Sequence, residues 1–372
     1  MKVTHVAPTT FGDDGLLGGG ERYPLELARS LARHVHCLLV VFGRRAHRWR
    51  EPGGLEVVVL RARGYAKGHP AHPFGAGLLR TTGEADVVHA HQLHSRTTAI
   101  ALRAARLRGQ RRVVTDHGLP KGSGRGVGGL VERFLVVSRF SADMLGAPPD
   151  RTTVVYGGAD PRRFHPDRDD RRQGILFVGR ITPHKGVDRL IEALPRGSHL
   201  TIAGSTGHDP DPPERDYPAM LRALAASAPA RVDFAGPVSE EELPRLMRRH
   251  AVLAMPSVEE TCYGRHVATS ELLGLSAIEA MASGTPVVCS DVGGLPEVVA
   301  HEQTGYLVPP GDVGALRDRL ATLLHDRRRC EAMGRAARDL AHERFTWDAC
   351  ASRCLAGYED LVGERRQLSA SV

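Results

Sequence analysis

The sequence predicts an α/β protein made of two doubly wound parallel sheets. Three observations carry that reading. Short apolar, β-branched runs alternate with helix-period segments from end to end. The 372 residues exceed what a single core usually supports, so two domains are expected. The strand rhythm breaks at a polar, proline-bearing stretch, Asp160 to Gly174, and restarts at Ile175.

The elements follow in order. Val3–Ala7 is apolar enough to be a first buried strand, and the N-terminus lacks the form of a signal peptide. Leu17-Gly18-Gly19-Gly20 is a glycine turn into a helix over Glu21–His34. Cys37–Val41 sits in the longest apolar run, which is far too short to span a bilayer. Leu55–Leu60 and Asp86–His89 read as strands, followed by a helix over Ser95–Arg108. Arg112–Thr115, Phe134–Val137 and Thr152–Tyr156 complete the first set. The second set is Ile175–Gly179, Leu200–Gly204, Val232–Ala235, Val252–Pro256, Pro286–Ser290 and Gly305–Val308. Helical patterns at Gly186–Leu194, Glu240–His250 and Asp312–His325 lie between them. The expected domains are residues 1–166 and 167–346, with 347–372 returning to complete the first.

Composition excludes several classes. The net charge of +7 comes from 50 basic and 43 acidic residues. Lysine occurs only at 2, 67, 121 and 185, the bias of a GC-rich genome. Arginines are scattered in short runs with no basic stripe carrying interleaved aromatics, so no nucleic-acid partner is expected. There is no basic amphipathic helix for lipid, so no stable membrane insertion is expected. The six cysteines show no zinc-type pairing, and free thiols in a reducing cytoplasm are expected.

Chemistry concentrates at strand ends. Gly179-Arg180-Ile-Thr-Pro-His-Lys185-Gly186 follows the first strand of the second half, at the end where ligands bind in open α/β sheets. Arg180 offers a planar fork and Lys185 a compact charge, a pair suited to a diphosphate leaving group. Glu271 precedes a short helix that carries Glu279, and Gly274 turns the chain into it. A helix N-terminus attracts phosphate, and acids on either side suit the hydroxyls of a nucleotide-sugar. Gly18 and Gly19 permit close approach to a phosphate or sugar, or form a tight turn only. His91 and His117 stand at strand ends, where a histidine can orient a hydroxyl or move a proton. Gly293 and Gly294 serve either a ligand contact or a plain turn.

Together these residues resemble the family 4 retaining glycosyltransferases of the GT-B fold. The resemblance rests on Gly18-Gly19 with Glu21-Arg22, His91, His117, Gly179-Arg180 with Lys185-Gly186, Glu271 and Glu279, Gly284-Thr-Pro286, and Gly293-Gly294-Leu-Pro-Glu297. It covers nearly the whole chain and includes actinobacterial members that act on small molecules. It implies two Rossmann-like domains facing a deep cleft, with a last helix, beginning near Phe345-Thr-Trp347, that crosses back to the first.

By position, the resemblance implies that Arg180 and Lys185 hold the diphosphate, Glu279 the ribose, and Glu271 the donor sugar. Further donor contacts are implied at Gly18, Gly19, Gly179, Leu273, Gly274 and Leu275, with the base near Gly236 and Val238. His117 is expected near the sugar and acceptor, and His91 at the acceptor. The mechanism implied is retaining transfer without a covalent intermediate, without a cofactor and without a metal. Asp13 and Asp14, beside the glycine turn, are candidates to meet a cationic aminocyclitol.

The chain departs from the family where members commonly carry Glu-Pro-Phe-Gly and this sequence has Glu271-Leu-Leu-Gly274. An unusual stretch, Glu259–Ser270, stands just before it and is expected to be a lid over donor or acceptor. The donor expected is a UDP-sugar and the acceptor a small soluble hydroxylated compound. A nucleotide-sugar epimerase of the same architecture and a non-catalytic scaffold are the alternatives.

Overall fold

The structure, a computed structural model, describes residues 1–10, 19–66, 72–118, 127–167, 172–207 and 211–370. It divides into two compact units. One comprises Met1–Gly157 with Trp347–Val372, the other Gly158–Thr346. The break precedes the one expected at 166/167. The reason is local, because Ala159 N–H donates to Phe345 O (2.9 Å) and Arg163 bonds Glu240, so this segment is tied into the second unit.

The first unit holds β1 (Lys2–Thr10), α1 (Gly19–Leu31), β2 (His36–Gly43), β3 (His47–Arg50), β4 (Glu56–Arg61), β5 (Gly64–Tyr65) and β6 (Pro73–Phe74). It continues with α2 (Leu78–Thr81), β7 (Val87–His91), α3 (Arg96–Leu107), β8 (Arg111–Thr115), β9 (Arg133–Val136), α4 (Arg139–Leu145) and β10 (Thr152–Val154). The main sheet runs β10-β9-β8-β7-β1-β2-β4-β3. All its pairs are parallel except β3 with β4. The alternating pattern did not reveal that antiparallel edge. Its four residues, His-Arg-Trp-Arg, are largely exposed and carry no apolar signature.

The second unit holds β11 (Ile175–Val178), α5 (Val187–Glu192), β12 (His199–Ala203), α6 (Tyr217–Ser227), β13 (Arg231–Gly236), α7 (Leu243–Arg249) and β14 (Val252–Met255). After these come α8 (Leu275–Ala282), β15 (Val287–Ser290), α9 (Leu295–Val298), β16 (Gly305–Val308), α10 (Val313–His325) and α11 (Arg327–Arg344). Its sheet is wholly parallel, in the order β13-β12-β11-β14-β15-β16. Strands buried on both faces explain the unbroken apolar runs of the sequence. Ile175, Phe177, Leu200, Ile202 and Val252 form its core with Leu190, Tyr217 and Leu320 from the covering helices.

The last helix, α12 (Trp347–Ala370), belongs to the first unit, as expected. Cys350, Ala351, Cys354 and Tyr358 are the buried side of it, packed on α1 and the sheet. Tyr23 of α1 donates from its hydroxyl to Val155 O (2.8 Å) and meets Trp347 edge-on at 5.2 Å. All six cysteines are free, and all but Cys262 are buried. No helix among the described residues is long and apolar enough to cross a membrane.

Candidate active site

In each sheet the strand order reverses once. In the second unit the chain runs β11, β12, β13 toward one edge, then β14, β15, β16 toward the other. The reversal lies between β11 and β14, and the loops leaving their C-terminal ends diverge there, the usual ligand position in such sheets. These two loops carry Gly179, Arg180, Lys185, Glu271, Leu273 and Gly274.

After β11 the chain passes Gly179 and Arg180 into a single 3-10 turn, Pro183–Lys185. After β14 it runs through Pro256–Gly274 into α8, with Gly274 at φ +93° leading the helix. The two loops are joined by an ion pair: Lys185 Nζ lies 2.5 Å from Glu271 Oε1, and both side chains are largely buried. Lys185 also donates to Ser270 O (2.9 Å), and Ser257 Oγ donates to Glu271 Oε1 (3.1 Å).

Two glycine positions make this contact possible. Gly186 has φ +66°, and a Cβ there would lie 2.0 Å from Pro256 O, so the first loop sits directly against the second. A Cβ on Gly293 would lie 1.9 Å from Glu271 O. The Gly293-Gly294 pair therefore packs against the backbone that presents Glu271, which gives these glycines a structural use.

The remaining donor candidates of the second unit occupy the same edge or its flanks. The Arg180 side chain is exposed and, among the described residues, forms no ion pair. Gly179 sits at the tip of β11, where its N–H donates to Ala203 O (3.1 Å). Gly236, at φ +72°, closes β13 and accepts from Gly204 N–H (2.8 Å), with Val238 two residues on. Leu273 is buried, Leu275 opens α8 part-exposed, and Glu279 is buried within that helix. His184 is pushed down to about 3, first by burial and then by the charges of Lys185, Arg180 and Arg265, so it stays neutral among cations.

The unusual stretch before Glu271 is a small closed hairpin. Val267 N–H donates to Glu259 O (2.6 Å), and Thr261 N–H to Arg265 O (3.0 Å). Arg265 pairs with Glu214 (3.0 Å), and the Tyr263 ring lies 6.4 Å from that of Tyr217 on α6. Among the described residues, the hairpin is therefore anchored to its own unit.

In the first unit the reversal lies between β1 and β7. His5, His89 and His91 are inward-facing on these two strands and fully buried. His5 Nδ1 is 3.0 Å from His91 Nε2, and His91 Nδ1 is 3.2 Å from His117 Nε2. His89 is held separately, by Tyr358 OH (2.7 Å) and Thr115 Oγ1 (2.8 Å). Burial pushes His5 and His117 down to about 3 and lowers His89 and His91 well below their usual range.

His91 was expected at an acceptor, but β7 extends through it, so it is buried with both nitrogens engaged. Only His117, one residue beyond Asp116 at the end of β8, keeps part of its surface open. The nitrogens of His5, His89 and His91 lie within 4.8 Å of one another. All but His5 Nε2 also take part in the hydrogen bonds above. Gly19 opens α1, while Gly18, Asp13 and Asp14 lie outside the described residues.

The sequence reading missed His5, Ser257, His184 and Tyr23. A signal existed for one of them: a histidine between the apolar residues Val3 and Val6 of a first strand expected to be buried.

The fold is that of the GT-B glycosyltransferases. The chain belongs to glycosyltransferase family 4. Residues 17–163 match the family described as Glycosyltransferase Family 4, and residues 160–340 match Glycosyl transferases group 1. A D-inositol 3-phosphate glycosyltransferase of Acidothermus cellulolyticus is 30% identical over 92% of this chain and 76% of its own length. A protein of the same name from Jonesia denitrificans is 34% identical over 62% of this chain and 55% of its own. A GDP-mannose-dependent alpha-(1-6)-phosphatidylinositol monomannoside mannosyltransferase of Mycobacterium tuberculosis is 33% identical over 58% and 57%. The chain thus spans about half the length of several of these relatives. Among solved structures, Anabaena HepE in complex with UDP and glucose superposes with a TM-score of 0.77 at 20% identity, over 97% of this chain and 100% of that one.

Proposed function

We propose that this protein transfers a sugar from a nucleoside-diphosphate sugar, UDP-linked in the first instance, to a hydroxyl of a small soluble acceptor. Transfer proceeds with retention at the anomeric carbon and needs no metal. The observation that carries this reading is the Lys185–Glu271 pair at the strand reversal, with the open Arg180 guanidinium in the adjoining loop.

The chemistry follows from where charge develops. As the sugar–phosphate bond breaks, negative charge gathers on the departing diphosphate. Arg180 and Lys185 stabilise it, and the N-terminus of α8 adds its partial positive charge. Glu271 faces the sugar, which gains oxocarbenium character on the same face from which the acceptor hydroxyl attacks. The acceptor proton leaves with the diphosphate oxygen, so no enzymic nucleophile is required. Glu279 holds the ribose. His117, Asp13 and Asp14 meet the acceptor. The relatives named for D-inositol 3-phosphate make cyclitols and aminocyclitols the first acceptors to try.

The test incubates purified protein with UDP- and GDP-sugars, with and without a cyclitol panel. Free nucleoside diphosphate should appear only with donor and acceptor together, unchanged by EDTA, with the anomeric configuration kept. Donor epimerisation without acceptor would instead establish the epimerase.

A further inference from the structure

The histidine chain of the first unit has a direction. His5, His91 and His117 are joined end to end through links of 3.0 and 3.2 Å. Each link holds one proton between two nitrogens. With all three rings neutral, only two arrangements satisfy both links. In one, His5 donates to His91, His91 donates to His117, and the spare proton sits on His117 Nδ1. In the other, every bond reverses and the spare proton sits on His5 Nε2.

The two ends differ. His5 is fully buried, and its Nε2 has no hydrogen-bond partner. His117 keeps part of its surface open, and among the described residues its Nδ1 has no partner. A buried N–H without an acceptor is among the least tolerated defects of a folded protein, whereas an unused lone pair is tolerated more readily. The arrangement that leaves only a lone pair at His5 therefore prevails. Burial disfavours the charged rings, which removes imidazolium arrangements near neutral pH.

We infer that His5 and His91 are positioning residues that hold His117 as a hydrogen-bond donor, its Nδ1–H turned outward to the ligand. The group that His117 meets must then offer an oxygen lone pair, from a hydroxyl or a carboxylate, and an ammonium is turned away. Only the identity of that ligand as a sugar or acceptor rests on the proposed transferase.

The experiment labels the full chain with 15N-histidine and reads the nitrogen pair of His117 through long-range proton couplings, without any ligand. The expected spectrum shows a protonated Nδ1 and an unprotonated Nε2, unchanged from pH 8 to pH 6. The opposite pattern, or averaged shifts, overturns the inference. His5→Asp places an acceptor at the buried end. At pH 8 it should reverse the chain, move the His117 proton to Nε2 and lower kcat/KM at least about ten-fold. His5→Asn, which can still donate to His91, should keep the wild-type spectrum and rate. A wild-type spectrum in His5→Asp also overturns the inference. If either variant fails to fold, the wild-type spectrum decides alone. If no transfer is found with any donor, the spectra still decide the chain, so the two failures are distinguishable.

Discussion

Lys185 Nζ stands 2.5 Å from Glu271 Oε1, the one ion pair, among the described residues, in the contacts that join loops leaving neighbouring parallel strands on opposite sides of the strand reversal. An incoming diphosphate would compete with the Glu271 carboxylate for the same ammonium. Glu271→Ala should therefore leave nucleoside-diphosphate affinity undiminished while slowing transfer, and Glu279→Ala should chiefly weaken donor binding. Calorimetric titration with the nucleoside diphosphate, set beside kcat, separates the two. Weaker nucleotide binding in Glu271→Ala would count against the competition.

The pair also bears on stability. Lys185→Met strands a largely buried carboxylate and should cost about 2–4 kcal/mol in urea unfolding. Lys185→Met combined with Glu271→Leu removes both charges and should recover much of that loss. Strict additivity of the two single changes would show that the residues do not interact.

Arg180 is the opposite case. Its side chain is exposed and makes no ion pair among the described residues. Arg180→Ala should change stability by less than about 0.5 kcal/mol and lower kcat by about a hundred-fold or more. A large drop in melting temperature would reassign Arg180 to the scaffold.

Gly186→Ala tests the seat of the ion pair. A Cβ would meet Pro256 O at 2.0 Å, at a positive φ. The expected cost is about 2 kcal/mol or more, with activity lost along with it. Gly197, also at positive φ but with open space around it, should tolerate alanine better, and equal costs at the two sites would remove the packing argument.

The buried histidines make stability depend on pH. Unfolded histidine titrates near about 6.5. In the folded state His5 is pushed down to about 3, and His89 and His91 lie well below their usual range. The groups facing them are Tyr23, Tyr358, Thr115 and His117, none of them a carboxylate. Below about pH 6.5 the unfolded chain takes up protons that the native state refuses. Stability is thus full above that pH and falls as the medium is acidified, by up to about 1.4 kcal/mol per pH unit for each such histidine. Urea midpoints at pH 7.5, 6.5 and 5.5 measure this. His5→Leu should reduce the slope, and an unchanged slope would show that His5 is not held neutral.

The residues alone determined a good deal. Apolar runs such as Cys37–Val41 and Val252–Pro256 are buried on both faces, and a strand buried on both faces must be apolar throughout. That constraint made the parallel sheets legible. The loops carrying Arg180, Lys185 and Glu271 were legible as well, because parallel strands present all their C-terminal ends at one edge. Only the tertiary structure decided the rest. That Lys185 meets Glu271, 86 positions along the chain, depends on β11 lying beside β14, which no local pattern encodes. That His91 is walled in depends on β7 running two residues beyond His89 and on His5 and His117 closing on its two nitrogens. Period and propensity act over a few residues, whereas burial and charge pairing are settled by neighbours far away in the chain.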